Sequence, residues 1–209
     1  MNVSSKFIKR LQQCEKQAFE TLFKDYSGLI KAIAYRYTKN WQIAEDILQE
    51  TFIVIYRKIH QYSHKGSFEG WIKRIAVNNC LKYLKEQQKN VFKDVEDMKL
   101  SEEETEQNVN VHDIESLVKN TDFSQKEIFD VVETLPDGFR IVFSMYVLEN
   151  YKHKEIAELL GISESTSKTQ LLRARKLIQK KLYKIALDKY SNQTNKFFKE
   201  VIGNKDETI

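Results

Sequence analysis

Residues that interrupt regular structure are scarce in this sequence, which has one proline and six glycines among 209 residues. Proline and glycine both weaken helices and mark turns, so a chain this poor in them is unlike a turn-rich β fold. An alternating apolar and polar pattern of useful strand length is also missing. These absences predict an all-α protein.

Clustered metal ligands and nucleophiles are missing as well. Cys14 and Cys80 are far apart and have no cysteine or histidine neighbour at metal-ligand spacing, which argues against a disulfide and a zinc site. No carboxylate cluster or phosphate-binding glycine loop is present. We therefore expect no metal, no cofactor, no small-molecule substrate and no enzymatic activity. The four histidines are scattered: His60, His64, His112 and His153.

Long apolar runs are absent too. A membrane-spanning helix needs about 18 or more apolar residues in succession, and a signal peptide needs an apolar core behind its basic residues. The sequence offers neither. It therefore predicts a soluble protein without membrane insertion, and the two unpaired cysteines fit the reducing cytoplasm.

The positive charge is distributed unevenly. The whole chain carries +4, but residues 94–122 hold ten acidic residues against two lysines, a local charge of −8. This leaves +12 on the remainder, in two blocks that flank the acidic segment. Clustered Lys and Arg in such blocks favour a polyanionic partner such as nucleic acid.

Apolar spacing of three and four residues predicts the helices of a first domain, residues 1–90. Phe19 and Phe23 are assigned to the buried side of the second helix. Ser67 is assigned to the start of the last helix. The predicted helices cover residues 4–13, 16–37 and 43–59, followed by the helix that opens at Ser67.

The periodicity fails after the first domain and returns with the second. Residues 91–123 predict a flexible acidic linker with only transient helix around residues 111–118. A capping box at Ser124 and Glu127 opens the second domain, residues 124–190. Residues 136–138 are assigned to a turn. Residues 191–209 are predicted as a C-terminal tail. The predicted fold is thus all-α, with two small helical domains joined by a flexible acidic linker.

A helix-turn-helix is predicted over residues 151–177 of the second domain. Gly161 ends a short amphipathic helix, and Ser163 can cap the next one. Leu171 and Ala174 continue the apolar stripe. The opposite side offers donors for base edges and phosphates, from Lys168, Thr169, Gln170, Arg173 and Arg175. The alternative is a basic amphipathic hairpin that packs against another part of the protein.

The third helix has a second stripe opposite its core side. Asp46, Gln49, Glu50, Ile53 and Arg57 combine acids, an amide and an exposed isoleucine. This mixture is typical of a surface that docks a partner helix. A merely solvated face is the alternative.

The fourth helix carries a straight amide and cationic stripe. Aromatic residues at its start, together with Lys and Arg, are typical of surfaces that bind unstacked bases and the backbone of a single strand. The alternative is that Phe68 and Trp71 are core residues and the lysines are solvated. The stripe comprises Arg74, Asn78, Lys82, Lys85 and Lys89, beside Tyr62, Phe68 and Trp71.

Two segments together resemble the extracytoplasmic-function (ECF) sigma factors of bacterial RNA polymerase. AEDILQETFIVIYRKI and SFEGWIKRIAVNNCLKYL are similar to the family's second conserved region. LPDGFRIVFSMYVLENYKHKEIAELLGISESTSKTQLLRARKL is similar to its fourth region. The motifs occur in the family's order and at its separations, over roughly residues 15 to 185.

This resemblance implies specific partners and site residues. It implies that core RNA polymerase binds Asp46, Gln49, Glu50 and Ile53. It implies that the melted −10 DNA strand contacts Tyr62, Arg74, Asn78, Asn79 and Lys82. It also implies that the −35 bases face Lys168, Thr169, Leu172 and Arg173. The predicted −35 DNA site further includes Ser163, Thr166, Gln170 and Arg175. Ser167 and Gln170 depart from the family, which more often has a valine and a basic residue there.

The resemblance therefore predicts an alternative-type sigma factor that directs polymerase to promoters and promotes DNA melting. It adds an anti-sigma factor to the expected partners without identifying one. A stand-alone helix-turn-helix regulator that acts without polymerase is the alternative. Such a regulator would bind a promoter fragment by itself and would need no surface for melted DNA.

Overall fold

The structure is a computed structural model that describes the backbone of residues 3–87 and 111–202 and the side chains of residues 3–87 and 116–192. Every regular element within these ranges is a helix, which confirms the all-α prediction. The N-terminal group consists of α1 (Ser5–Gln12), α2 (Lys16–Thr38), α3 (Trp41–Lys58), a 3-10 turn (Ile59–Gln61) and α4 (Phe68–Glu86). The C-terminal group consists of α5 (Val111–Asn120), α6 (Gln125–Glu133), α7 (Asp137–Phe143), a π-helical turn (Ser144–Leu148), α8 (His153–Leu160) and α9 (Glu164–Ile202).

Side-chain caps set the starts of the N-terminal helices. The hydroxyl of Ser4 accepts from the amide of Phe7 at 3.2 Å, and that of Ser67 accepts from Gly70 at 3.0 Å. Asn40 accepts from the amide of Gln42 at 2.9 Å. This cap starts α3 at Trp41, two residues earlier than the apolar pattern alone indicates.

Helix α2 forms the centre of the N-terminal group and packs against both α3 and α4. Its buried stripe includes Leu22, Tyr26, Ile30 and Ile33, as the spacing predicts. The assignment of Phe23 to the core is wrong, because its side chain is 49% exposed. Phe23 lies at the edge of the stripe, about 100° around the helix from Leu22.

The C-terminal group differs from prediction at three places. Pro136 is the N-cap of α7, so residues 137 and 138 lie in its first helical turn and not in a separate turn. Helix α9 runs without a break past Tyr190, so the predicted tail begins inside a helix. Helix α5 occupies the end of the predicted linker and packs against α9. Residues 91–110 and 203–209 lie outside the described residues.

One hydrophobic core extends through both helix groups. Ile141, Val142 and Met145 from the C-terminal group are buried in the same cluster as the α2 stripe. Arg140 is only 1% exposed, and its Nε donates to the carbonyl of Arg36 at 2.7 Å. Because residues on α7 and the π-helical turn complete the N-terminal core, the two groups pack directly on each other.

Within the described part of the chain, no helix combines the length and apolar character needed to cross a membrane.

Candidate nucleic-acid interface

The predicted partner-binding stripe of α3 lies on the surface. Asp46, Gln49, Glu50 and Ile53 are all exposed, and Ile53 is 44% exposed. The opposite side of the helix is buried against α2 and α4. These four residues, the α3 face, thus combine two carboxylates, an amide and an apolar side chain on one accessible surface.

Exposed aromatic residues border the α3 face. The ring of Phe23 packs against Phe52 with centroids 4.9 Å apart, and Phe19 packs against Tyr56 at 5.1 Å. Tyr56 is 52% exposed. The α3 face therefore continues onto an apolar surface shared with α2, which the sequence pattern assigned to the core.

The polar stripe of α4 is also on the surface. Arg74, Asn78, Lys82 and Lys85, the α4 stripe, are exposed, and Lys89 lies outside the described residues. Ile72, Ala76 and Cys80 on the other side are fully buried. A cleft of about 350 Å³ runs beside the stripe and is lined by Asn78, Leu81, Lys82, Lys85, Glu86 and, from α8, Leu159.

Two residues predicted to touch the −10 strand do not lie on this stripe. Tyr62 is buried, with its ring centroid 5.2 Å from Phe68, and its hydroxyl donates to the carbonyl of Gly66 at 2.9 Å. Asn79 is half-buried and donates to the hydroxyl of Thr51 on α3 at 3.1 Å. The prediction of an accessible Tyr62 is wrong, because the aromatic residues at the start of α4 pack on one another.

The helix-turn-helix has the local geometry that its sequence predicts. Gly161 ends α8 with φ of 69°, a left-handed conformation that suits glycine. The hydroxyl of Ser163 accepts from the amide of Thr166 at 2.9 Å and so caps α9. The Ser163 hydroxyl also lies 2.8 Å from the Thr166 hydroxyl. Both residues, which are predicted to contact −35 DNA, therefore take part in the cap of α9.

The outward side of α9 carries most of the predicted −35 residues. Lys168, Thr169, Leu172 and Arg175 are exposed, and Leu172 is 55% exposed. Arg173 is half-exposed on the same side. The guanidinium of Arg175 approaches the ring of Tyr146 at 5.9 Å, so it packs back towards the protein. We call Lys168, Thr169, Leu172 and Arg173 the α9 face.

The assignment of Gln170 to the outward side is wrong. Its side chain is 2% exposed, and both polar atoms of its amide lack a hydrogen-bond partner among the described residues. Gln170 follows Ser167 by three residues and precedes Ala174 by four, and both are fully buried. This helical spacing places Gln170 on the inward side of α9.

Ser167 is buried on the inward side of α9. Its hydroxyl lies 2.9 Å from Nδ1 of His153 at the start of α8. Burial lowers the pKa of His153, and the nearby charge of Lys168 lowers it further. The ring of His153 thus holds α8 against α9, a contact that sequence reasoning missed.

A buried hydrogen bond between an arginine and a carboxyl group joins the two helix groups. Arg36 on α2 donates to the carboxylate of Glu149 at 3.0 Å, and the Glu149 side chain is 1% exposed. Burial raises the pKa of Glu149 to about 7, although the charges of Arg36 and Lys73 oppose that rise. Sequence reasoning missed this pair, and the only local signal was an arginine between Ile33 and Tyr37 on the core stripe of α2.

The α4 stripe meets the helix-turn-helix directly. Arg74 donates to the carboxylate of Glu155 on α8 at 3.1 Å. Its guanidinium also lies over the ring of Tyr151, 5.5 Å from the centroid. The residue predicted to hold single-stranded DNA therefore has internal partners.

Comparison with known proteins identifies the family to which these surfaces belong. The sigma-70 region 2 family matches residues 22–90, and the sigma-70 region 4 family matches residues 125–178. The ECF RNA polymerase sigma-E factor of Haemophilus influenzae is 30% identical over 179 residues, which cover 84% of this chain and 93% of that protein. The chain belongs to the ECF sigma factors.

A second relative, from Escherichia coli, agrees with this assignment. The ECF RNA polymerase sigma-E factor of Escherichia coli strain K12 is 26% identical over 177 residues, 84% of this chain and 92% of that protein. The solved complex of the sigma factor RpoE with the anti-sigma factor NepR from Bartonella quintana aligns with a TM-score of 0.47 and 16% identity, over 78% of this chain and 96% of that one. CnrH in complex with the cytosolic domain of CnrY aligns with a TM-score of 0.46 and 15% identity, over 82% of this chain and 92% of that one.

Sigma factors are transcription initiation factors that bind core RNA polymerase and promoter DNA. Both matched regions lie on this chain in the family's order. The prediction of an alternative sigma factor is confirmed, and the stand-alone regulator is set aside.

Proposed function

We propose that this sigma factor divides its work among three helix faces. The α3 face binds core polymerase, the α4 stripe holds the melted −10 strand, and the α9 face reads the −35 element. The observation that carries the proposal is that each face is exposed and polar while the opposite side of the same helix is buried. Residues 1–90 thus serve polymerase binding and melting, and residues 124–190 serve −35 recognition.

The α3 face suits a partner helix. Ile53 supplies a central apolar contact, and Asp46 and Glu50 supply carboxylates that attract basic residues. An apolar centre with a charged rim is the usual composition of a protein interface. The neighbouring rings of Phe23 and Tyr56 enlarge the apolar part of this surface.

The α4 stripe suits a single strand. Lys82 and Lys85 can track phosphates, and Asn78 can donate and accept on a base edge. The cleft beside Asn78 offers space for a base drawn out of the stack. Tyr62, by contrast, supports this surface from the core, and Asn79 ties α4 to α3.

The α9 face suits the major groove. A helix fits that groove, and Lys168, Thr169 and Arg173 can reach base edges while Leu172 can contact a thymine methyl group. Ser163 and Thr166 lie at the N-terminus of α9, where backbone amides attract phosphate. Arg175 packs on Tyr146 and belongs with the backbone contacts.

We infer further that the protein acts in the cytoplasm without a catalytic step of its own, as fits a transcription initiation factor. An anti-sigma factor is the remaining proposed partner. Covering the α4 stripe and the α9 face would be enough to prevent promoter binding. Pull-down of proteins that compete with core polymerase for this sigma factor would find such an inhibitor.

Run-off transcription with purified core polymerase on a genomic library tests the proposed function. We expect promoter-specific transcripts only when the sigma factor and core are both present. Gel shifts on a recovered promoter provide the control, since the sigma factor alone should bind duplex DNA weakly. Strong, specific binding without core, and no transcripts with it, would contradict the proposal.

A further inference from the structure

A cavity of about 460 Å³ lies between the two helix groups. Helices α2 and α4 line one side of it, and α6, the end of α7 and the π-helical turn line the other. None of its lining residues belongs to the α3 face, the α4 stripe or the α9 face. Sites for small molecules have volumes of roughly 300–1,000 Å³. The cavity is thus large enough for a ligand that the proposed function does not use.

Exposed apolar side chains gather around this cavity. Ile128 on α6 and Val147 and Leu148 on the π-helical turn are exposed, and all three line it. Single exposed apolar residues are ordinary, but a group of them around one depression is typical of a binding site. Ile33 and Val132, which are buried, continue the apolar lining. The cavity therefore suits the hydrocarbon part of a ligand.

The charged side chains of the lining lie next to one another. Arg36 donates to the Glu149 carboxyl group at 3.0 Å, and the charge of Lys73 acts on the same group. Lys73 also pairs with Glu69 at 2.7 Å, outside the lining. The lining itself thus holds two cations and one carboxyl group, whose pKa burial raises to about 7. The charged end of the cavity favours an anionic head group.

Arg36 has one donor without a partner. Its side chain is 10% exposed, and its Nε has no hydrogen-bond partner among the described residues. Buried donors in proteins almost always have a partner, so an unpaired one in the wall of a cavity indicates a ligand that accepts there. A carboxylate suits this position, because an arginine fork binds its two oxygens with paired hydrogen bonds.

We propose that this cavity binds an amphipathic monocarboxylate, most simply a medium-chain fatty acid. Its carboxylate lies against Arg36 and Lys73, and its alkyl chain lies along Ile128, Val147 and Leu148. The inference goes beyond the proposed function and does not depend on it, because the two assign different residues.

A small molecule fits this surface better than a polypeptide does. A stable interface with another protein buries roughly 800 Å² on each partner. Three exposed apolar side chains around a cavity provide far less than this area. An apolar lining with a few convergent polar groups is instead typical of ligand pockets.

Calorimetric titration of the full chain with sodium decanoate, kept below its micelle concentration, tests the site. We expect saturable binding at one site per chain. Decyltrimethylammonium has the same alkyl chain and a cationic head, so it should bind at least about ten-fold more weakly, because it meets Arg36 and Lys73 with like charge. Equal affinities for the two compounds would overturn the proposal, since the head group would then play no part.

Matched variants locate the binding. Ile128→Trp places a larger side chain in the wall and should weaken decanoate binding by about ten-fold or more. Leu187→Trp, at a similarly exposed position on α9 outside the lining, should bind as wild type does. Lys73→Gln should weaken binding about two- to five-fold, through loss of a partly exposed charge contact. Lys16→Gln also removes a lysine that is paired with a glutamate four residues away, and should have no effect.

Absence of saturable decanoate binding would overturn the proposal. Equal affinities of Ile128→Trp and wild type, at the same helicity by circular dichroism, would do so too. If Ile128→Trp loses helicity, the comparison of Lys73→Gln with Lys16→Gln decides, and equal affinities of that pair count against the proposal.

A second copy of the chain is another candidate occupant of this surface, and sedimentation velocity distinguishes it. We expect wild type to sediment as a monomer. A wild-type dimer that Ile128→Asp converts to a monomer would assign the surface to self-association and overturn the fatty acid site.

Discussion

Asn78 lies in the middle of the α4 stripe, exposed and next to the cleft. Its amide can both donate to and accept from a base edge. We predict that Asn78→Ala slows open-complex formation by roughly five-fold, equivalent to about 1 kcal/mol for a lost hydrogen bond, and leaves core binding unchanged. Permanganate footprinting of the −10 element measures melting, with Gln87→Ala at the end of α4 as the control. Footprints identical to those of wild type would refute this role.

Glu149 is the buried carboxylate that we expect to change the pH dependence of the free energy of unfolding most. Its pKa is raised from 4.5 to about 7 by burial, so the folded protein keeps a proton that the unfolded chain has released between these values. Its contribution to stability is therefore complete below about pH 4.5 and is lost as pH rises through about 7. The free energy of unfolding should fall by up to about 1.4 kcal/mol per pH unit in this window.

Glu149→Gln should remove this dependence, because glutamine cannot titrate. Urea denaturation of wild type and variant from about pH 5 to pH 8 measures the difference. Glu158→Gln, which changes an exposed carboxylate, should keep the wild-type profile. Parallel pH profiles for wild type and Glu149→Gln would show that Glu149 does not titrate in this range.

At the scale of single helices, α3 offers a test of polymerase binding. Asp46 and Gln49 are exposed and lie three residues apart on one side. We predict that Asp46→Arg combined with Gln49→Ala weakens core binding by about ten-fold or more, through charge reversal at the interface, with unchanged helicity. The matched control on α6 is Asp130→Arg combined with Gln125→Ala. Retained affinity in a core pull-down would remove α3 from the proposal.

Helix α9 carries one residue predicted to read bases, Arg173, and another predicted to bind the DNA backbone, Lys180. Arg173 lies on the α9 face, and an arginine fork on guanine is worth about 1 to 3 kcal/mol of discrimination. Arg173→Ala should therefore flatten selectivity at one or two −35 positions. Lys180→Ala, nearer the distal end, should lower affinity evenly and reduce the salt dependence by about one ion. Transcription from every single-base −35 variant distinguishes the two, and a uniform loss with Arg173→Ala would contradict its role in base reading.

At the scale of the whole molecule, the shared core makes the stability of the two helix groups interdependent. Met145 is fully buried in a cluster with the α2 stripe. Met145→Ala should cost about 2–5 kcal/mol and should speed hydrogen exchange in α2 as well as in α7. Val147→Ala, at a 40% exposed position, is the control. Faster exchange confined to the C-terminal group would mean that the two groups unfold independently.

Local interactions made much of this protein predictable from its sequence. Caps at Ser67, Ser124 and Ser163 act on amides three residues away, and the turn at Gly161 needs only its own backbone conformation. The stripes of α3 and α4 follow from a period of 3.6 residues. The sequence by itself therefore determined the helices of the N-terminal group, the helix-turn-helix, the family and the accessible polar faces of α3 and α4.

Only the tertiary structure decided which residues lie where helices meet. The burial of Tyr62 and Gln170 and the exposure of Phe23 depend on neighbouring helices that a local pattern does not contain. The pair of Arg36 with Glu149 joins residues 113 positions apart, and that of Arg74 with Glu155 joins residues 81 apart. A helical period shows which residues share a face, but the packing of whole helices chooses what that face touches.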